Sequence, residues 1–328
     1  MTLLLTIAVA ALQDETWHES KSARYRVRGE SSQKLCEEVA RHLEWAQTVY
    51  RSLLPYATEG IDFPPARISL FGTREKLREW SVGVKPDDPL MKYTYLHYEF
   101  RDPRNRVVAY DLPRGVMMAS LTHEAFHHYF RSLINDPPSW LNEGIAEMLE
   151  ASTIGEGGRL EIRLNYAWVD FWQEAVRGKD GGAVVKRSDP VTVRNLLAFS
   201  KEEWRRRGSA AYASSWGLVM FLNRDPNYRG LLERALKALR PDATHDENLE
   251  AVRTIAFDGV DLDRLERDFA KFMDGLQIPG KETFMEGVGL YRQKKYKEAR
   301  EKIVKAIEKE KGRGIYHYYE GLCRYRLG

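Results

Sequence analysis

The spacing of apolar positions changes several times along the chain. "SARYRVRGE" (22–30) alternates apolar and polar residues, as a half-buried strand does. "SQKLCEEVARHLEWAQTVYRSLL" then returns an apolar residue every three or four positions and predicts a helix. "ARISLFG" and "NRVVAYDLP" are short apolar runs of strand type, the second stopped by a proline, with a helix "TREKLREWS" following the first. Two helices are expected over about 116–133 and 139–151. Between them, Pro137 and Pro138 break the first helix, and Ser139 is a suitable N-cap for the second. "RLEIRLNY" reads as a further strand, and from about 200 to 274 the pattern is mostly helical. The implied class is α+β: a small N-terminal mixed sheet packed on a helical core, with a helical subdomain beginning near 190.

"GLQIPGKE" (275–282) has the composition of a linker, and 281–328 forms a separate repeat region. There, Gly287, Tyr296, Ala299, Ile303 and Ala306 fall where the tetratricopeptide pattern places small or bulky residues. The pattern restarts 34 residues on, with Glu286-Gly287 matching Glu320-Gly321 and Tyr291 matching Tyr325. The second copy holds only its first helix. An incomplete pair of repeats does not bury a continuous core alone, so packing on the preceding domain, pairing with another chain or truncation of the sequence is expected.

Composition excludes several classes. With 43% hydrophobic and 30% charged residues the chain is globular rather than disordered or fibrous. The net charge is +3, and no basic tract is interleaved with aromatics, so nucleic acid is not an expected partner. The densest basic run, "WRRRGS" (204–209), reads as a solvated helix end. At the N-terminus the apolar run Leu3–Leu12 is too short to span a bilayer but has the length of a signal-peptide core. Ala8-Val9-Ala10 supplies a cleavage pattern, although no Lys or Arg precedes the run. Residues 1–10 are therefore expected to be a signal peptide, the protein to be exported, and no stable membrane span to remain. Cys36 and Cys323 lie far apart and form no C-x-x-C pair, which argues for two small packing residues.

The candidate chemistry lies in "LTHEAFHHYF" (121–130). His123 and His127 are four residues apart and share one helix face, so both imidazoles can reach one ion, and Glu124 between them can face an attacking water. His128 is one position further round the helix, where it cannot bind the ion in the same geometry and either supports the ligands from behind or is exposed. The following helix, "PSWLNEGIAEMLE", turned back by the Pro-Pro break, brings Glu143 against the first. Two His and one Glu with an open fourth position form the donor set of a catalytic zinc site rather than a closed structural one. Glu147, one turn after Glu143, is expected to accept a hydrogen bond from a ligand imidazole, and is the alternative third ligand.

"HEAFHHYF…WLNEGIAEMLE" resembles the gluzincin metallopeptidases. It is most similar to the bacterial peptidase-MA-like families that carry tetratricopeptide repeats behind the catalytic domain. The resemblance covers about residues 65–225. It implies a zincin-like core within 11–274, zinc held by His123, His127 and Glu143, and Glu124 as general base. Enzymes of this kind place a Tyr or His donor at the oxyanion; here the resemblance points to Tyr212 in "SAAYASSWGLVMFL", ahead of Tyr166. The G-x-M-E-N element by which aminopeptidases capture a free N-terminus is missing. "NRVVAYDLPRGVMM" occupies its place, with an edge strand expected at Arg106–Tyr110 to take an extended peptide. The expected activity is zinc-dependent endopeptidase action on a peptide or protein substrate. The alternatives are a scaffold protein whose metal domain is structural or inactive, and a zinc amidase acting on cell-wall peptides.

Overall fold

The structure, a computed structural model, describes residues 17–54, 63–82, 93–154, 160–176 and 191–328. The expected signal peptide lies outside them. The chain divides into two compact units, Met1–Met273 and Asp274–Gly328. Among the described residues no helix is long and apolar enough to cross a membrane.

The first unit is α+β. Strands β1 (His18–Lys21), β2 (Tyr25–Gly29), β3 (Ala66–Phe71), β4 (Tyr93–Leu96) and β5 (Arg106–Tyr110) form one sheet in the order β1-β2-β3-β5-β4. β2, β3 and β5 are parallel, and β1 and β4 close the two edges antiparallel. The alternation in β2 is realised: Tyr25, Val27 and Gly29 are buried, and Arg26 and Arg28 are exposed. β5 is not an edge. It pairs with β3 on one side and β4 on the other. The expectation of a free edge at Arg106–Tyr110 is therefore corrected to Tyr93–Leu96, because the strand before β5 in sequence folds back outside it. "RLEIRLNY" contributes only Leu160–Glu161, paired with Thr153–Ile154 in a two-stranded ribbon.

Helix α1 (Gln33–Leu53) and helix α3 (Arg114–Leu133) lie on the same face of the sheet; α2 (Arg74–Val82) covers part of the other with Phe71, Leu77, Leu96 and Val108. Ser32 caps α1 by accepting the Leu35 N–H. α1 braces α3 from behind. The Tyr50 hydroxyl donates to the Thr122 carbonyl at 2.6 Å, His42 pairs with the Thr122 hydroxyl at 2.8 Å, and the Tyr50 ring meets Phe126 edge-on at 5.5 Å. These contacts fix the turn of α3 from which the next residue, His123, projects.

After the break at Asn135–Pro138, α4 (Ser139–Glu150) packs on α3 and on α8 (Ser209–Arg224). Ser139 is the first residue of α4 rather than its N-cap. Pro138 holds the cap position and has no polar side-chain atom to offer. The first N–H is taken instead by His245 Nε2 at 3.2 Å, from α10 (His245–Ala251). Asp136 holds the break in place, accepting from Arg131, Lys201 and the His245 N–H. Between α4 and α8 the chain forms α5 (Tyr166–Phe171), α6 (Val193–Leu196) and α7 (Lys201–Arg207), and after α8 come α9 (Arg229–Lys237), α10 and α11 (Leu262–Gly275).

The second unit holds α12 (Lys281–Arg292), α13 (Tyr296–Lys309) and α14 (Gly314–Leu327) around Phe284, Val288, Ala299, Ile303, Ala306, Tyr316 and Cys323. Gly287 sits where α12 meets α13, since a Cβ there would fall 2.7 Å from Ile303 Cγ1. Gly321, its counterpart in the repeat, has no atom within 4 Å of that position. Cys36 and Cys323 are both buried, free thiols.

Candidate metal centre

His123 and His127 project from one face of α3 as their spacing requires, and α4 brings Glu143 to them. The Glu143 Oε2 lies 3.4 Å from His127 Nε2 and 3.7 Å from His123 Nε2. In a tetrahedral zinc site with bonds of about 2.0–2.1 Å, neighbouring donors are about 3.3–3.4 Å apart. The two distances to Glu143 are close to that spacing, and all three donor atoms lie within 4.8 Å of one another. Glu143, not Glu147, completes the set with both histidines. Glu147 joins a second group with His123 and Glu150 that leaves His127 out.

The far nitrogens define the tautomers. His123 Nδ1 donates to Glu150 Oε2 at 2.9 Å, and His127 Nδ1 to Asn142 Oδ1 at 3.1 Å. The orientation of the Asn142 amide follows from its Nδ2, which donates to Glu143 Oε1 at 3.3 Å. Both Nε2 atoms therefore turn lone pairs toward the Glu143 carboxylate. Acceptor facing acceptor in a buried site is repulsive unless a proton or a metal cation lies between. Burial alone would lower the His123 pKa, but Glu143 and Glu150 outweigh it and raise that pKa well above the usual value. Burial would likewise raise Glu143, but His127 and His123 hold it well below the usual carboxylate range. The donor set fits a divalent cation.

Glu124 stands beside this set, buried, with its Oε2 accepting the Tyr95 backbone N–H at 2.6 Å. Tyr95 lies on β4, so an N–H of the sheet's true edge points at this carboxylate. Tyr212 lies in the first turn of α8. Its ring is stacked on Trp168 at 6.1 Å and meets Trp204 edge-on at 4.5 Å. Burial, then the charges of Glu143, Glu147 and Glu124 and a hydrogen bond to Glu143, raise the pKa of its hydroxyl above its ordinary value. At neutral pH it is a hydrogen-bond donor. Tyr166 interacts instead with Arg224, at the opposite end of α8. His128 is neither exposed nor bonded to the donor set. It packs against the Tyr95 ring at 5.4 Å, and burial, with nearby His97, pushes its pKa down to about 4.

The expected role of Glu147 is corrected. Its carboxylate accepts from Trp168 Nε1 at 2.6 Å and Asn165 Nδ2 at 3.4 Å, and burial lifts its pKa to about 7. The two imidazoles are held by Glu150 and Asn142. Glu150 was legible in principle: it lies seven residues from Glu143, two helical turns on, and hence on the same face. Asn142, Trp168 and the Tyr95 N–H carry no sequence signal of their own. Glu150→Ala is expected to weaken zinc binding about 10- to 100-fold, and Glu147→Ala to weaken it less. Calorimetric zinc titration of both variants checks this. Loss confined to Glu147→Ala would contradict it.

Residues 117–235 match the model of a family described as a protein of unknown function (DUF1570). The match takes in His123, Glu124, His127, Glu143 and Tyr212. No curated protein matches the chain.

Proposed function

We propose that this protein is an exported, zinc-dependent hydrolase of peptide bonds, an endopeptidase related to the gluzincins. The observation that carries the proposal is the convergence of His123 Nε2, His127 Nε2 and Glu143 Oε2 at cation-binding distances, with the Glu124 carboxylate beside them. When bound there, zinc supplies Lewis-acid polarisation of a carbonyl oxygen and acidifies water to a pKa of about 7. Glu124 accepts the proton of the attacking water and passes it to the departing amine. Tyr212 donates to the developing oxyanion. β4 is an edge strand of the sheet, and since its Tyr95 N–H is taken by Glu124, a peptide pairing with the rest of that edge lies beside the general base. Glu150 and Asn142 keep the imidazoles aimed. The missing amine-capturing element favours cleavage at interior bonds.

The test is hydrolysis of quenched fluorescent peptides with blocked termini by the zinc-loaded protein. Cleavage is expected at interior bonds, to be lost on chelation and to return with added zinc. No cleavage across a diverse peptide library, or cleavage indifferent to chelator, would contradict the proposal.

A further inference from the structure

The register of the sheet places four cations in one line. Lys21 is paired with Arg26, Arg26 with Arg67, and Arg67 with Arg106. Paired positions point to the same face, so all four side chains stand on the face opposite α1 and α3. With strands about 4.8 Å apart, the row runs about 14 Å across β1, β2, β3 and β5.

Like charges placed directly opposite one another destabilise a sheet. Among the described residues Glu19 is the only carboxylate that pairs with the row, at 3.1 Å from Arg26 and 3.7 Å from Lys21. Arg67 is exposed and makes no ion pair with a described residue. Among the described residues the Arg106 side chain donates only to the Arg104 carbonyl, at 3.0 Å. The next row on the same face is Glu19, Arg28, Ser69 and Val108, of mixed character. The basic line is thus confined to one register row of a chain whose net charge is only +3. Three of the four, Lys21, Arg26 and Arg67, line a concavity of about 290 Å³ whose wall also includes Pro64, Pro65 and Asp102.

We propose that this row is a docking site for an acidic polypeptide segment, whose carboxylates the arginine forks bind where, among the described residues, Glu19 alone supplies counter-charge. Guanidinium groups pair bidentately with carboxylates, and Arg26 and Arg67 both line the concavity. The row carries no aromatic side chain on which a base would stack, since nearby Trp17 lies under Arg28 and against Phe71. The row interposes no Trp, Phe or Leu side chain between its cations to insert into a bilayer, so it suits a chain segment better than a lipid surface. None of the four cations belongs to the metal centre, and the proposal does not depend on the proposed hydrolase activity.

The experiment measures binding of fluorescein-labelled deca-glutamate to the full chain by anisotropy, across a salt series. Saturable binding that weakens with salt is expected. Arg26→Glu with Arg67→Glu should lower affinity by at least about tenfold. The charge-matched control Arg205→Glu with Arg206→Glu, in the other basic run, should stay within about twofold of wild type. The thermal midpoint of Arg67→Glu should not fall, because the substitution relieves repulsion within the row. If the double variant does not fold, Arg67→Gln should still lose affinity with its midpoint kept. Absence of saturable binding by wild type, or equal loss in the control pair, overturns the proposal. So does tighter binding of a deca-nucleotide, of polyphosphate or of phosphatidylserine vesicles than of deca-glutamate.

Discussion

Glu124→Gln is expected to lower kcat for peptide hydrolysis about 10²- to 10⁴-fold, the contribution of a positioned general base, with zinc content unchanged. Three features separate this substitution from a structural one. The amide is isosteric with the carboxylate. Its oxygen can still accept the Tyr95 N–H, so the link between α3 and β4 survives. The donor set is His123, His127 and Glu143, which the substitution leaves alone. Steady-state kinetics beside elemental analysis read both halves. Full activity would remove the base role, and loss of zinc would make Glu124 a ligand.

Gly144→Ala is expected to cost about 3 kcal/mol of stability or more, at the upper end for overpacking. A Cβ at this position would lie 2.5 Å from the Ser215 carbonyl oxygen, 2.9 Å from its carbon and 2.7 Å from Val219 Cγ2. Two of those atoms are backbone of α8 and cannot rotate away, so α4 must move. Glu143 is the preceding residue of α4, and Tyr212 belongs to α8. The displacement that relieves the clash therefore also parts the carboxylate from the imidazoles, and zinc affinity should fall with stability. Gly115→Ala is the control, because nothing lies within 4 Å of its added carbon and a helical Gly-to-Ala change favours the helix by about 1 kcal/mol. Denaturant unfolding of both variants checks the contrast. An unchanged midpoint for Gly144→Ala would contradict this packing.

What the sequence discloses and what it hides follow from the range of the forces involved. The helix carrying His123 and His127 and the break at Pro137-Pro138 are local properties and were readable. So was the return of α4, since a short break between two amphipathic helices leaves them antiparallel. The rotation of α4 about its own axis was not readable. It depends on Gly144 meeting Ser215, and it decides that Glu150 rather than Glu147 reaches His123. The edge of the sheet was misassigned for a similar reason. "YTYL" is short and weakly patterned, and its place outside β5 is settled only by pairing. The cap of α4 comes from His245, 106 residues away, which no local rule for Ser139 anticipates. Tyr212 was suggested by resemblance alone. It stands beside Glu143 because α8 packs on α4 and because Trp168 and Trp204 hold its ring.

The most direct measurement is zinc content by elemental analysis, on wild type and His123→Ala, after zinc loading and exhaustive dialysis, with circular dichroism on both. About one zinc per wild-type chain and none in the folded variant is the expected result, since removing one of three protein ligands leaves too few for tight binding. A folded wild type that retains no zinc, or a His123→Ala variant that retains as much as wild type, would contradict the assignment of His123, His127 and Glu143 as a metal centre.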